Sequence, residues 1–274
     1  MSSKQTAPAP YRLMNSPAER TILVLSGKGG VGKSTVAANL AISLSLQGFE
    51  TGLLDTDFHG PSIPKLLGLE GSRLISDGEK VNPVEIGALS VISVDFMLEN
   101  RTDPVIWRGP MKMNVIKQLF EDVNWGNLDY MIIDCPPGTG DEPLSVVQLI
   151  PEPTGAVIVT TPQELSLSDV RRSIKFCNAL NLPVLGVIEN MSGFVCPHCG
   201  ELTELFGSGG GEKMAEEMGV PFLGRIPIEP DIVISGDRGK PFVYHNGHSP
   251  FAKDFERIVG DIVKDLSPEK GTEK

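Results

Sequence analysis

A glycine-rich loop close to the N-terminus has the residue spacing of a site that binds the phosphates of a nucleotide. It fits the pattern G-x-x-x-x-G-K-[ST], in which glycines let the backbone fold around a polyphosphate with its N–H groups pointing inward. We predict that Lys33 contacts the β- and γ-phosphates, that the Ser34 hydroxyl binds Mg²⁺ and that Thr35 lies near the α-phosphate. The residues expected to bind the nucleotide here are Gly27, Lys28, Gly29, Gly30, Val31, Gly32, Lys33, Ser34 and Thr35.

A second lysine inside this loop, Lys28, points to one branch of the nucleotide hydrolases. The alternative for Lys28 is a solvated lysine without a role in the site. The flanking sequence supports a phosphate site, because residues 21–26 form the pattern of a buried strand and residues 36–46 that of a helix ending before Gly48. Lys28 and Lys33 are therefore candidate catalytic residues.

Acidic residues follow two other predicted strands, at the sheet edge where parallel sheets bind their ligands. Asp134 directly follows an apolar run, and we predict that it holds a Mg²⁺-bound water. Asp57 is the candidate for orienting or deprotonating the attacking water, close to the same Mg²⁺. Either aspartate could instead cap a helix or form a turn. Asp55 is interpreted as a structural partner near the metal, and Asp141 as part of a switch loop or as a helix cap.

The base is predicted to be adenine. The N-K-x-D or T-K-x-D element that reads guanine in GTPases is missing, since residues 160–163 read Thr-Thr-Pro-Gln. Asn190 follows a predicted strand and could donate to and accept from the adenine edge, with Pro227 in a loop that covers the ring. A turn-forming asparagine is the alternative. ATP and Mg²⁺ are thus the expected cofactors.

Cys196 and Cys199 stand in a Cys-Pro-x-Cys-Gly knuckle, which is typical of metal sites. Zn²⁺ or a four-iron cluster takes four ligands, whereas this chain offers one convergent pair. Cys135 falls in a predicted switch segment and Cys177 on an apolar helix face, so neither completes the set. A homodimer would supply four thiolates around a two-fold axis. The residues alone leave open an iron–sulfur cluster, a structural zinc or a thiol redox pair.

The composition describes a globular protein with an acidic surface. The chain has 274 residues, 40% of them hydrophobic, and a formal net charge of -11. This charge argues against a protein whose main task is to bind nucleic acid or an anionic membrane. Neither a signal peptide nor a run of roughly 20 apolar residues is visible, and four cysteines do not make a disulfide framework. We therefore expect a cytoplasmic protein.

Apolar runs alternate with segments of helical periodicity, which predicts an α/β fold with a mostly parallel central sheet of about seven strands and helices on both faces. With the glycine-rich loop after the first strand, the predicted fold is that of a P-loop NTPase. The strands are expected at 21–26, 51–54, 89–94, 130–133, 156–160, 184–188 and 222–226. The helices are expected at 36–46, 111–123, 167–180, 211–218 and 250–266. We predict a disordered segment at 1–20, a single domain at 21–266 with the cysteine loop at about 191–206, and a flexible charged tail at 267–274.

Six segments together resemble one family. They are 27–35, 55–62 (Asp-Thr-Asp-Phe-His-Gly-Pro-Ser), 107–110 (Trp-Arg-Gly-Pro), 134–141 (Asp-Cys-Pro-Pro-Gly-Thr-Gly-Asp), 189–193 (Glu-Asn-Met-Ser-Gly) and 196–199 (Cys-Pro-His-Cys). On these segments the sequence is similar, over about residues 20–266, to the Mrp/NBP35 (ApbC-type) iron–sulfur carrier ATPases, a branch of the MinD/ParA-like deviant Walker A proteins.

The resemblance implies an ATP-dependent homodimer that binds a labile [4Fe-4S] cluster between its subunits at Cys196 and Cys199 and passes it to apo iron–sulfur proteins. It implies slow hydrolysis of ATP to ADP and phosphate, and a Lys28 that reaches the partner's phosphates as an arginine finger does. The sequence lacks the N-terminal four-cysteine segment and the extra N-terminal domain of some relatives. A second cluster is therefore not implied.

Two other functions fit part of the sequence. A ParA/MinD-like positioning ATPase would bind DNA or membrane through a basic amphipathic helix or a basic surface. The predicted helix at 250–266 instead mixes acidic and basic residues, and its apolar residues form a core-facing stripe: Phe251, Phe255, Ile258 and Ile262. The other alternative is an ATP-driven adaptor in which the knuckle holds a structural zinc.

Overall fold

A single large sheet forms the centre of the fold. The structure is a computed structural model that describes residues 16–97, 109–196, 198–245 and 249–266. Its strands are β1 (Ala18–Ser26), β2 (Thr51–Asp55), β3 (Ile75–Ser76), β4 (Val81–Asn82), β5 (Val84–Ile86), β6 (Leu89–Ser93), β7 (Leu128–Asp134), β8 (Gly155–Thr160), β9 (Val184–Glu189), β10 (Phe194–Val195), β11 (Leu202–Thr203) and β12 (Phe222–Arg225). Eight of them form the sheet in the order β12-β9-β8-β1-β7-β2-β6-β5, and β3-β4 and β10-β11 form two small hairpins.

The main sheet has the parallel core that the sequence predicts. Neighbouring strands from β12 to β6 run parallel, and these seven strands correspond to the seven predicted apolar runs. Strands β2 and β8 are buried along their whole length, as expected where helices cover both faces. The predicted count of about seven is one short, because β5 adds an antiparallel edge strand. It has three residues and is largely exposed, so no apolar pattern marks it.

The helices lie where the sequence places them, with shifted ends and several short additions. They are α1 (Lys33–Leu46), α2 (Ile63–Leu66), α3 (Gly109–Glu121), α4 (Asp141–Leu149), α5 (Glu164–Ala179), α6 (Gly210–Met218), α7 (Pro230–Asp237), α8 (Phe242–His245) and α9 (Pro250–Leu266). The five predicted helices correspond to α1, α3, α5, α6 and α9. The other four were not predicted; two of them, α2 and α8, have only four residues each and are too short to show a helical period.

Two hydrophobic cores pack on the two faces of the sheet. Residues of α3, α4, α5 and α6 build one core, and residues of α1, α2, α8 and α9 build the other. Phe251, Phe255, Ile258 and Ile262 of α9 are all buried, which confirms their predicted core-facing stripe. The apolar face of α9 therefore packs against the core and is not available to bind a membrane. No helix in the described ranges has the length and apolarity to cross a bilayer.

The ends of the chain differ in part from the prediction. Strand β1 begins at Ala18 and pairs with Leu128 of β7, so the predicted disordered segment at 1–20 is too long at its C-terminal end. Some predicted segments lie outside the described residues: the remainder of that segment at 1–15 and the predicted tail at 267–274. The same holds for Trp107 and Arg108 of the quoted motif and for Pro197 of the knuckle.

Candidate functional site

Strand register brings the three phosphate-site segments to one edge of the sheet. Asp134 at the end of β7 pairs in register with Asp55 of β2 on one side and with Val24 of β1 on the other. All three strands are parallel, so their carboxyl ends meet there. The Asp134 carbonyl also accepts hydrogen bonds from the Thr56 backbone N–H at 3.0 Å and from its hydroxyl at 2.8 Å. The glycine-rich loop and both acidic segments therefore form one site.

The glycine-rich loop has a backbone that suits a phosphate. Helix α1 begins at Lys33 without a side-chain cap, so its first N–H groups point toward the loop. Gly32 before it has a left-handed φ of 86°, and a Cβ added there would lie 2.2 Å from the Asn190 amide nitrogen. That nitrogen donates to the Val31 carbonyl at 2.8 Å. Position 32 thus requires glycine both for its backbone angle and for the close approach of Asn190.

The Lys33 ammonium group lies at the centre of the polar cluster. Its Nζ is 2.6 Å from Asp134 Oδ1 and 3.9 Å from Asp57 Oδ2, and it lies 3.3 Å from Ser34 Oγ. Burial lowers the pKa of Lys33, but the carboxylates of Asp134 and Asp57 more than offset this effect and the pKa is raised. Lys33 is therefore a permanently charged group that balances buried carboxylates.

Asp134 presents a free carboxylate oxygen to the site. The side chain is fully buried, and its Oδ2 atom has no hydrogen-bond partner among the described residues. Burial raises the pKa of Asp134, and Lys33 offsets this only in part. An unpaired buried acceptor is costly unless a ligand satisfies it. A water held by Mg²⁺ at the Ser34 hydroxyl would supply that donor, so these residues fit the predicted ion.

Asp55 and Asp57 differ in how tightly the protein binds them. Asp55 is fully buried, accepts the Asp57 backbone N–H at 3.1 Å and accepts the Ser93 hydroxyl at 3.0 Å. Burial, with the Asp134 carboxylate added, raises its pKa well above the usual value. Asp57 accepts the His59 backbone N–H at 3.2 Å. Asp55 therefore stabilises the turn that follows β2, whereas Asp57 has an oxygen directed toward Lys33.

Lys28, Asn190 and Pro227, the other predicted site residues, have contacts of their own. Lys28 is half-buried and forms no salt bridge with any described residue, while its carbonyl accepts the Ser26 hydroxyl at 3.0 Å. Asn190 contacts the loop at Val31, as described above. Pro227 is half-buried between Ile226, whose carbonyl accepts from Ser192, and Ile228, whose N–H donates to Gly193. The segment after β9 is thus fixed both to the phosphate loop and to the 226–228 loop.

The cysteine knuckle lies at the tip of the hairpin β10-β11. The Cys196 N–H donates to the Glu201 carbonyl at 3.0 Å, and the Gly200 N–H donates to the Cys196 carbonyl at 2.8 Å. Hydrogen bonds from the backbone N–H groups of Cys199 and His198 to its sulfur lower the pKa of Cys196. Cys196 is half-buried, and Cys199 and His198 are exposed. The two thiols form an accessible pair, and the lowered pKa of Cys196 favours the thiolate state that metals require.

The other two cysteines differ from this pair. Cys135 and Cys177 are both fully buried in the core against α3, α4 and α5. Burial raises the pKa of Cys177 to about 12 and that of Cys135 further still. These two thiols therefore serve packing, which agrees with the prediction that neither completes the metal ligand set.

We expect a thiol titration of the folded, metal-free protein at pH 8 to separate the two classes. Cys196 and Cys199 should react rapidly, giving two thiols per chain, because they are accessible and thiolate is the reactive form. Cys135 and Cys177 should react only after denaturation, bringing the total to four. Fast reaction of more than two thiols in the folded protein would contradict the assigned burial. The Cys196→Ser variant, which should show one fast thiol, is the control.

Glu189 is a functional residue whose role the sequence did not reveal. It ends strand β9 and is fully buried. Its carboxylate accepts the Ser192 hydroxyl at 2.6 Å, the Gly209 N–H at 2.9 Å and the Gly211 N–H. The carboxylate therefore caps helix α6 and fixes the start of the cysteine hairpin. An acidic residue at the end of an apolar strand was the available signal, but its two partners in α6 and the residue before it lie 20 and 22 residues away in the chain.

A second cluster that the sequence did not predict joins the two acidic segments. Glu142 at the start of α4 contacts Lys112 of α3 and accepts from His59 at 2.9 Å, and Lys112 and His59 lie 3.0 Å apart. Burial raises the pKa of Glu142, but hydrogen bonds from Lys112 and His59 more than offset this and lower it. His59 follows Asp57 and Glu142 follows Asp141, so the cluster connects the loop after β2 with the loop after β7.

Comparison with known proteins agrees with this geometry. The profile of the NUBPL iron-transfer P-loop NTPases matches residues 18–263. An iron-sulfur cluster carrier protein from Saccharolobus solfataricus is 51% identical over 243 residues, which are 88% of this chain and 82% of that protein. A cytosolic Fe-S cluster assembly factor NUBP2 homolog from Dictyostelium discoideum is 54% identical over 223 residues, 80% of this chain and 84% of its own.

Solved structures resemble the chain over most of its length. A nucleotide-binding protein from Archaeoglobus fulgidus in complex with ADP has a TM-score of 0.74 and 40% identity, and the match covers 87% of this chain and 92% of that one. The cell division ATPase MinD of Pyrococcus furiosus has a TM-score of 0.66 and 23% identity, with 89% and 98% covered. At that identity the MinD likeness concerns the fold alone.

Proposed function

The chain belongs to the NUBPL iron-transfer P-loop NTPases and is an iron–sulfur cluster carrier, and we propose that its cargo is a labile [4Fe-4S] cluster shared by two copies of the chain. In this proposal Cys196 and Cys199 of each copy bind the cluster. ATP is bound and slowly hydrolysed to ADP and phosphate at the glycine-rich loop, and the cluster passes to apo iron–sulfur proteins.

An incomplete ligand set carries this proposal. A four-iron cluster takes four thiolates, but one chain offers two convergent ones. Within the described ranges, no group of three or more His, Cys, Asp and Glu side chains could hold a metal. The other two thiols, Cys135 and Cys177, are buried in the core. Two copies related by a two-fold axis supply the four thiolates symmetrically.

The polar cluster around Lys33 supports hydrolysis of a Mg²⁺-bound nucleotide. We propose that Ser34 and Asp134 hold the ion, with Asp57 beside them, and that the bound ion neutralises charge on the phosphates. When the nucleotide binds, Lys33 exchanges its contact with Asp134 for contacts with the β- and γ-phosphates. Asp57 orients the attacking water and accepts its proton, a role suited to the more loosely held of the two neighbouring carboxylates.

Two further assignments complete the proposed nucleotide site. Lys28 reaches the phosphates bound by the partner copy, which is consistent with a half-buried cation that has no ionic partner on its own chain among the described residues. Asn190 and Pro227 flank the adenine. The Asn190 amide nitrogen donates one of its two hydrogens to Val31, and its amide oxygen can accept from the adenine amino group.

The segment between Asn190 and Gly193 offers a route by which nucleotide could influence the cluster. Asn190 binds the phosphate loop, Ser192 binds Glu189, and the hairpin follows directly. Met191 between them has a left-handed φ of 58°, which is uncommon for a side chain of its size. We propose that ATP binding alters this segment and thereby the hold on the cluster. Equal rates of cluster loss to a chelator with ATP and without it would contradict this coupling.

Metal and sulfide analysis of protein prepared without oxygen tests the function directly. We expect four irons and four sulfides per dimer in the wild-type protein, in keeping with Cys₄ ligation of a [4Fe-4S] cluster by two copies. Cys196→Ser and Cys199→Ser should each lose essentially all of both, because each substitution removes two of four thiolates from the dimer. Cys177→Ser, a buried thiol outside the hairpin, is the matched control and should retain the cluster. A cluster that survives both hairpin variants would refute the proposal.

Metal analysis and a binding assay separate the alternatives. Zinc in place of iron, with no sulfide, would favour the ATP-driven adaptor with a structural metal. Binding to DNA or anionic vesicles that depends on ATP and falls with salt would favour the positioning ATPase.

We propose that neither nucleic acid nor membrane is a partner, since the net charge is -11 and the apolar face of α9 is buried. We also propose a cytosolic location, which the names of relatives such as the Dictyostelium protein support.

A further inference from the structure

The hairpin that carries the thiol pair exposes an unusual amount of apolar surface. Four apolar side chains flank the two cysteines in the chain, with exposed fractions between 42% and 61%: Val195, Leu202, Leu205 and Phe206. Val195 and Leu202 are register partners of the antiparallel pair β10-β11, so their side chains lie on the same face of the hairpin. We call these four residues the hairpin patch. Exposed apolar side chains gathered in one short segment are typical of interaction sites.

We propose that the hairpin patch is the contact through which a second copy of this chain seals the cluster. This inference rests on the proposed function. The site is incomplete on one chain, so the chain that supplies the missing thiolates must approach these same cysteines. Metal–thiolate bonds are only about 2.3 Å long, and the patch residues directly precede Cys196 and follow Cys199 closely in the chain. A second hairpin bound to the same cluster therefore meets the patch.

Two-fold symmetry makes the patch self-complementary. In an isologous contact the same surface serves on both copies, so Val195 and Leu202 of one copy meet the equivalent face of the other. The acidic residues beside the patch, Glu201 and Glu204, are exposed and would stay at the wet rim, where like charges are screened. The apolar centre of the contact then excludes water and chelating groups from the cluster. A larger apolar contact therefore slows the release of the cluster.

The test compares patch variants that keep both cysteines. Leu202→Ser and Leu205→Ser should each weaken the dimer of the cluster-loaded protein at least ~10-fold, because every substitution counts twice in a symmetric contact. Sedimentation equilibrium gives that dissociation constant. Loss of the cluster to an iron chelator, followed by its absorbance without oxygen, should accelerate by a similar factor. Leu202→Met, which keeps an apolar side chain, should behave like the wild type.

Ile75→Ser is the matched control, since Ile75 is 71% exposed but lies in the other small hairpin, β3-β4. It should leave both readouts unchanged. Wild-type dimer strength and wild-type cluster loss in both serine variants would overturn the inference. The inference would also fail if both serine variants kept the wild-type dimer strength and rate of cluster loss but transferred the cluster more slowly to an acceptor apoprotein. The patch would then contact the recipient protein and not the second copy. A wild-type protein that binds no iron and sulfide would instead refute the proposed function, which distinguishes the two failures.

Discussion

Lys28→Ala is expected to lower the rate of ATP hydrolysis by ~10³- to 10⁵-fold, the effect of removing a cation that a partner inserts into a phosphoryl-transfer site. Nucleotide binding to the isolated chain should change little, because Lys33, the helix N-terminus and the loop backbone remain. Steady-state phosphate release measures the first quantity and equilibrium binding of a fluorescent ATP analogue the second. Lys175→Ala, an exposed lysine on α5, is the control for charge alone.

A mixing experiment shows whether Lys28 acts across the dimer. Neither Lys28→Ala nor Lys33→Ala should be active alone. In a mixed dimer, the site of the Lys28→Ala copy receives Lys28 from the Lys33→Ala copy. An equal mixture should recover about a quarter of wild-type activity, since half of the dimers are mixed and one of their two sites is complete. An inactive mixture would place Lys28 in its own chain's site, and normal hydrolysis by Lys28→Ala alone would exclude any catalytic role.

Asp57→Asn is expected to slow hydrolysis by ~10²- to 10⁴-fold, the usual contribution of a positioned general base. Asparagine has the same shape and can still accept the His59 N–H through its amide oxygen, so the loop should keep its form. It cannot take a proton from water. Single-turnover hydrolysis of prebound ATP measures the chemical step separately from nucleotide binding.

The control for Asp57 comes from the opposite end of the sheet. Asp129 lies near the start of β7 and accepts the Glu50 N–H at 2.8 Å, far along the strand from Asp134. Asp129→Asn removes a carboxylate without touching the nucleotide site and should hydrolyse ATP at the wild-type rate. If Asp57→Asn turned over as fast as Asp129→Asn, another group would have to orient the attacking water.

Local patterns explain why so much of the fold could be predicted. A parallel strand covered on both faces must be continuously apolar, so seven such strands were visible in the sequence. The phosphate loop was equally visible, because nine consecutive residues hold all of its backbone chemistry. The edge strand β5 was not, since three exposed residues carry no periodicity.

Contacts between distant segments explain what could not be predicted. Asn190 reaches Val31 across 159 residues of sequence, and Asn124 binds Asp77 across 47. The cluster of His59, Lys112 and Glu142 likewise joins three elements that only the fold brings together. Residue type and local spacing identified Asn190 as a candidate nucleotide-binding residue. Its contact with the phosphate loop depends on the order of strands in the sheet, which the local sequence does not specify.

The contact between Lys33 and Asp134 has a consequence for how ligands enter the site. Each group neutralises the other within the chain, so a phosphate that takes Lys33 leaves a buried carboxylate without its counter-ion. A divalent cation that takes Asp134 likewise releases Lys33. We therefore expect nucleotide and Mg²⁺ to be thermodynamically linked, each raising the affinity of the site for the other by the same factor. On this proposal the chain favours the metal-bound nucleotide over either ligand alone.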